Sequence, residues 1–378
     1  MRLSLIFLNF TLAFIIAGCA NLKSVSTKLE DVLDKPDKNR KKFTVAWIKN
    51  LDPEYSSGNL PIGTSSPFVH EGILYMGNLS GEMTAYQLSN GRELWSVNEN
   101  QPLNATANVF NDILVYGSKE GRLFARNYYT GKRVYALDLD APIESPPIFH
   151  GGRMFIHLRD HRIVCLDAAT GKVFWSYQRS VPYPTTLQRV SKVLPYKNRI
   201  IVGFADGNIT ALSVEEGIIL WEQRISSGVK FIDVDVEPIY FGGYVIAGAA
   251  AGEMKFLNPE NGTIIRSIPL TLQTKPVRLK NTLLVGTVFG EVALVDESGK
   301  ILKRRKFLNS GISSLAKWKD GIVATSMSGE ILFLDPASLE VKETYNLGHE
   351  QSAVFGQITV SNNYLSLYSS RNRLYVFR

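Results

Sequence analysis

The sequence predicts an all-β fold, an eight-bladed β-propeller with four antiparallel strands per blade. Three observations predict it. A unit of about 40 residues recurs along the chain, the size of a four-stranded propeller blade. Seven complete copies can be aligned. The chain then ends one strand short of an eighth, and begins with an unmatched strand that would supply it.

The copies run in order as "SGEMTAYQLSNGRELW" (80–95), "EGRLFARNYYTGKRVY" (120–135), "DHRIVCLDAATGKVFW" (160–175), "DGNITALSVEEGIILW" (206–221), "AGEMKFLNPENGTIIR" (251–266), "FGEVALVDESGKILK" (289–303) and "SGEILFLDPASLEVK" (328–342). Each reads as a small turn, an alternating strand, a polar turn and a second strand. The turn glycines Gly91, Gly131, Gly171, Gly217, Gly262 and Gly299 are spaced 37–46 residues apart, with Leu339 in the seventh place. Glycine suits such turns because they need positive φ. Another hairpin precedes each copy, such as "SPFVHEGILYMG" (66–77). The final "YLSLYSSRNRLYVFR" is read as three strands, and "FTVAWIKNL" (43–51), with Trp47 matching Trp95, Trp175 and Trp221, as the missing fourth. One domain over 43–378 follows.

Ahead of it, Arg2 precedes an apolar run from Leu3 to Gly18, too short for an ordinary membrane span and typical of a secretory signal over 1–18. Its end, Ile16-Ala17-Gly18-Cys19, resembles the bacterial lipobox, with Ile where Leu is usual. That resemblance implies lipidation of Cys19 and a lipid-anchored protein. Ala20, where an aspartate would favour inner-membrane retention, favours the outer membrane. Residues 19–42 then form the lipidated cysteine and a polar tether. Its 23 residues from 20 to 42 would span about 24–29 Å as a flexible coil.

With Cys19 lipidated, Cys165 in "IVCLD" has no intrachain partner and reads as a small buried core residue. The core alone must stabilise the domain. Five scattered histidines make no zinc motif, and no metal or cofactor site is read. The net charge of +7 is spread along the chain rather than clustered, which with the export signal argues against nucleic acid.

The blades are not equally spaced. From Trp95 to Gly117, Tyr135 to His157 and Arg266 to Gly286 the interval is 20–22 residues. From Trp175 to Gly203 it is 28, and from Trp221 to Gly248 it is 27. The extra residues fall where one blade's outer strand passes to the next blade's inner strand, all on one rim. Long loops on a rigid scaffold tend to carry function. The second holds "FIDVDVEP" (231–238), where a strand would point Asp233 and Asp235 the same way. Arg189 sits at the corresponding height one blade earlier. Paired carboxylates can be acid and base for glycosides, calcium ligands, solvated turn residues, or docking acids. Two exposed rim acids lack the enclosure of a glycosidase pair, and "DVD" supplies too few oxygens for calcium. No triad or phosphate loop is evident. Two acids beside a basic residue and aliphatics on long loops favour docking.

A lipobox, a tether and "G-x-x-x-A-L-d-x-x-x-G-x-x-x-W" repeats resemble the BamB family, the propeller lipoproteins of the β-barrel assembly machinery. The segment "LWEQRISSG…DVD" (220–235) resembles that family's acidic Asp-x-Asp region. The resemblance implies a non-enzymatic scaffold without cofactor, anchored to the inner leaflet of the outer membrane. It would bind the periplasmic POTRA region of BamA within the Bam complex and hand over unfolded outer-membrane proteins. Asp233 and Asp235 match the acidic contact pair. "TLQR" (186–189) keeps Arg189 of the second contact motif and carries Leu187 one place out of register. The repeat is shared with quinoprotein dehydrogenases, so an enzyme of that kind, or a carbohydrate-acting propeller, is the alternative.

Overall fold

Alternating apolar residues between short polar turns build 32 strands in eight four-stranded antiparallel sheets among the described residues. The computed structural model describes residues 41–52, 65–181, 190–228, 231–249, 251–307, 309–348 and 352–378. Blades 1 to 7 occupy residues 68–98, 108–138, 148–178, 194–224, 239–268, 277–306 and 312–346. Blade 8 combines Thr359–Ser361, Tyr364–Tyr368 and Arg373–Phe377 with the N-terminal strand Val45–Asn50. The eight-bladed propeller and its closing strand are therefore as the repeat predicts. One detail differs: "YLSLYSSRNRLYVFR" supplies two strands, and the third, Thr359–Ser361, lies just before it.

The closing strand pairs antiparallel with the last strand of the chain, from Val45 opposite Phe377 to Asn50 opposite Arg373. Blade-to-blade packing explains the composition. First strands of neighbouring blades approach one another, as 68–70 does 359–361, and so stand innermost. Second and third strands are buried almost throughout, whereas fourth strands alternate exposed and partly covered residues. Eight apolar clusters form among the described residues, each shared by two adjacent blades. The cluster between blades 8 and 1 joins Trp47, Tyr368 and Val376 to Leu74, Met76 and Tyr86. Cys165 is buried between blades 3 and 4, and burial pushes its thiol up to about 11, so it is an inert core residue. Cys19 lies outside the described residues.

The repeat signature has a second cause beyond turn geometry. At five of the turn glycines, Gly91, Gly131, Gly171, Gly217 and Gly262, an outer-strand aromatic of the preceding blade lies over the turn. Trp47 covers Gly91 and Trp175 covers Gly217, where an ideal Cβ would stand 2.7 and 2.5 Å from the ring. The indole N–H donates to a carbonyl of the same turn, Leu88 at 2.8 Å and Val214 at 3.0 Å. Glycine is required twice over, by φ near +71° and by the ring. Leu339 keeps the positive φ, at 55°. The outer strand of blade 6 has Arg304 opposite Ala293, where blade 1 has Trp95 opposite Ala85. With no ring above, the Leu339 side chain turns into the core.

Candidate docking site on the connector rim

In a four-stranded antiparallel blade, turns alternate between rims. First-to-second and third-to-fourth turns share one rim. The connectors between blades share the other. Those connectors span 51–67, 99–107, 139–147, 179–193, 225–238, 269–276, 307–311 and 347–358. The two expected long ones, 179–193 and 225–238, are long. The connector 51–67 is longer still.

A branched aliphatic anchor residue seats each regular connector. Leu103 and Ile143 lie against Gly77 and Gly117, each donating its N–H to the turn carbonyl of Asn78 and Ser118. Val234 does the same, packing on Gly203 and donating to the Phe204 carbonyl at 3.1 Å. This fixes the acidic pair. The expected strand is absent: residues 231–238 pair in no ladder, and the inner strand begins at Ile239. The alternation survives because Val234 is pinned. Ile232, Val234 and Val236 are buried, while Asp233 and Asp235 are half-buried on the other side.

Blade 3 carries His157 where its neighbours carry glycine. The imidazole fills the anchor's space, and its Nδ1 bonds the Ser191 carbonyl at 2.8 Å instead. A narrow crevice results, lined by His157, His161, Val190, Ser191, Asp233 and Asp235, with no room for a water-sized guest. Arg189 and Leu187 lie outside the described residues; Val190, the next described residue along the chain, shares this crevice with both aspartates.

The platform is locked by charge. Glu237 binds Lys192 at 3.1 Å and also Lys275, tying three successive connectors together. Burial alone would raise its carboxyl, but the two ammonium groups hold it below the usual range. Arg179, the first residue of its connector, is 9% exposed and pairs with Asp206 at 2.6 Å and Glu222 at 2.5 Å, its guanidinium 4.9 Å from the Phe204 ring. Burial works against that charge, and the two carboxylates more than offset it, raising the guanidinium above its ordinary value. In front of the pair stands Phe231, 55% exposed at φ 59°. Arg179, Glu237 and Phe231 escaped the sequence reading. The first two lie in the long connectors, but nothing in spacing marks a buried charge or an outward ring.

Among the described residues, no group of three or more His, Cys, Asp or Glu is placed to hold a metal ion. The crevice admits no sugar. What the arrangement offers is a stiff surface with two carboxylates and an aromatic, suited to a partner's basic groups.

The buried histidines make a pH prediction. Burial pushes the His157 imidazole down to about 3 from 6.5, against the pull of its bond to Ser191. Burial also lowers His161, against the nearby Asp160, Asp233 and Asp206 carboxylates. Above pH 6.5 the His157 imidazole is neutral whether folded or unfolded. Between 6.5 and about 3 only the unfolded chain takes the proton, so stability falls on acidification. The slope is up to about 1.4 kcal/mol per pH unit for one such group. Thermal unfolding at pH 5 should occur below that at pH 7, a window above most carboxylate titration. His157→Gln should shrink the difference; an unchanged difference would remove His157 as its source.

The family described as "Outer membrane protein assembly factor BamB" matches residues 79–231. A curated protein of that name from Nitrosomonas eutropha is 23% identical over 269 residues, 68% of this chain and 65% of the relative. The chain thus spans slightly less than two thirds of that relative's length. The crystal structure of BamB from Moraxella catarrhalis superposes with a TM-score of 0.75 at 19% identity, over 89% of this chain and 99% of that one. The chain is thus similar to BamB in sequence and in fold. A quinoprotein alcohol dehydrogenase, PedH of Pseudomonas putida, is also similar, at 26% identity over 131 residues, but over 32% of this chain and 22% of its own. In sequence the BamB likeness covers 68% of the chain and the dehydrogenase likeness 32%; in fold, a europium-containing methanol dehydrogenase also superposes over 90% of the chain, with a TM-score of 0.70 at 12% identity.

Proposed function

We propose that this BamB-like chain is a non-enzymatic assembly factor of the outer-membrane β-barrel assembly complex. It docks through its connector rim onto the periplasmic POTRA domains of BamA and so assists folding and insertion of outer-membrane proteins. The observation that carries the reading is the pinned Asp-Val-Asp segment. Val234 is seated on Gly203, and the flanking Asp233 and Asp235 stand half-buried on the other side of the segment, beside a platform tied by Glu237. Arg189 and Leu187 are proposed as further contacts on the adjacent connector. A narrow crevice beneath the pair favours a protein partner over a small substrate. The test is retention of the cognate BamA periplasmic domains by the immobilised propeller. Absence of retention, with a bound quinone released from purified protein, would favour the dehydrogenase alternative.

The chain is further proposed to be anchored by lipid on Cys19 to the inner leaflet of the outer membrane, after removal of residues 1–18. Several acyl chains hold a protein stably, at about 0.8 kcal/mol per buried methylene. Cys19→Ala should therefore move the protein from the membrane fraction to the soluble one at high salt. A variant that stays membrane-bound in cells lacking BamA would show that the anchor lies elsewhere.

A further inference from the structure

The turn rim, opposite the acidic pair, carries a feature unconnected with docking. Between blades 6 and 7 lies a groove of about 700 Å³, walled by Arg278, Lys280, Lys317, Lys319, Pro336 and Ala337. The four cationic residues are exposed. A fifth cation reaches its edge, since Lys303 Nζ donates to the Ala337 carbonyl at 3.2 Å. Asp320 is the one acidic residue in the wall. Elsewhere the same rim carries acids, with Glu215, Glu216 and Glu260 in the turns of blades 4 and 5. Lysines such as Lys132 and Lys172 stand in other turns of this rim, and acids such as Glu297 and Asp335 in the turns of blades 6 and 7, but in this sector the groove brings four cations together along one wall.

That sector is where the chain enters the propeller. Phe43 is buried against Trp318, ring centroids 5.7 Å apart, and against Phe333 and Phe377. Trp318 lies between the groove residues Lys317 and Lys319, the latter's ammonium 4.1 Å from its ring. Its indole N–H reaches the Asn363 carbonyl in the first turn of blade 8 at 2.8 Å. The segment leading to Phe43 adds Lys38, Arg40, Lys41 and Lys42 in sequence. In the sequence this basic run joins the propeller at Phe43, on the rim that carries the groove.

We propose that the groove between blades 6 and 7 binds the phosphodiester headgroups of an anionic bilayer. It would hold the turn rim against the membrane and leave the connector rim free for its partner. The inference rests on the membrane-anchored part of the proposed function, and on charge complementarity. Clustered cations beside an anchored segment bind anionic lipid surfaces, with roughly fivefold in affinity per basic residue.

The test uses the chain with Cys19→Ser, so that no acyl anchor contributes, sedimented with vesicles. Binding is expected to vesicles of phosphatidylglycerol and phosphatidylethanolamine at low salt, not to pure phosphatidylcholine, and to be lost at about 0.5 M salt, where charges are screened. Lys280→Ala, Lys317→Ala and Lys319→Ala together should weaken it at least tenfold with an unchanged melting temperature. Lys132→Ala with Lys172→Ala, on the same rim at blades 2 and 3, should not. Equal binding by the triple variant, or equal binding to phosphatidylcholine, would overturn the proposal. So would displacement by inorganic phosphate beyond that by sodium chloride of equal ionic strength, which would mark a site for a free anion. Retention on polyglutamate without vesicle binding would mark an acidic protein partner and also overturn it. Fractionation of the wild-type protein tests the anchor separately, so failure of one reading is distinguishable from failure of the other.

Discussion

A chain lacking residues 43–51 is expected to lose its cooperative thermal transition and to aggregate. The deletion removes the whole outer strand of blade 8 and bares the edge of Arg373–Phe377, a template for pairing with other chains. It also removes two aromatics from the core. Phe43 is 4% exposed and packs with Trp318, Phe333, Tyr345 and Phe377. Trp47 is 8% exposed, lies on Gly91 and donates to Leu88. Truncating one such buried aromatic costs about 3–5 kcal/mol, and net stabilities are about 5–15 kcal/mol, so losing both with the ladder consumes most of the margin. Trp47→Ala alone should lower the melting temperature while leaving a folded ring. Deleting residues 20–36, proposed to be tether, should change stability little. Equal melting temperatures for the two deletions, read by circular dichroism, would refute the closure as a source of stability.

The second large effect concerns partner binding. Reversal of both proposed docking acids, Asp233→Arg with Asp235→Arg, should weaken the proposed binding to BamA's periplasmic domains about 30-fold or more. Removing one member of a buried, hydrogen-bonded interfacial charge pair costs roughly 2–5 kcal/mol, and a rim charge much less. Two half-buried acids turned into like charges belong in the larger range, and about 2 kcal/mol is already near 30-fold. The fold should survive, because Val234 and Glu237 hold the connector and neither is touched. Phe231→Ala should weaken the same binding, since exposed aromatics are common interface anchors. Arg189→Ala should also weaken it, non-additively with the aspartates if all three share one contact network. Wild-type affinity in the folded double-reversal protein would leave the pair as solvated rim residues.

The architecture was legible because propeller blades repeat local patterns: the turn glycines, the alternating strands and the Trp that follows them. Trp47 announced the closing strand for the same reason. The site was legible only in part. Asp233 and Asp235 stood out by spacing, and their shared direction held, though through Val234 rather than through a strand. His157 was visible as a break in the row of glycines, but its bond to Ser191 depends on a connector from the neighbouring blade. Glu237 joins connectors that are distant in sequence, so pairwise chemistry across blades is hidden from any reading of one strand at a time. Phe231 shares the open side of the alternation with Asp233 and Asp235, and an aromatic there reads in sequence as a core residue although it is exposed.

The strand Val45–Asn50 and its partner Arg373–Phe377 lie at opposite ends of the chain. During synthesis the first of these appears long before the second. It must wait, unpaired and apolar, while seven blades form between them. Closing so large a loop costs entropy that grows only slowly with length, but the encounter comes last. Folding of the ring therefore ends at its seam, and the interval before that encounter is when the molecule is most open to capture by other chains. Shielding one short segment near residue 45 would protect the whole molecule during that wait.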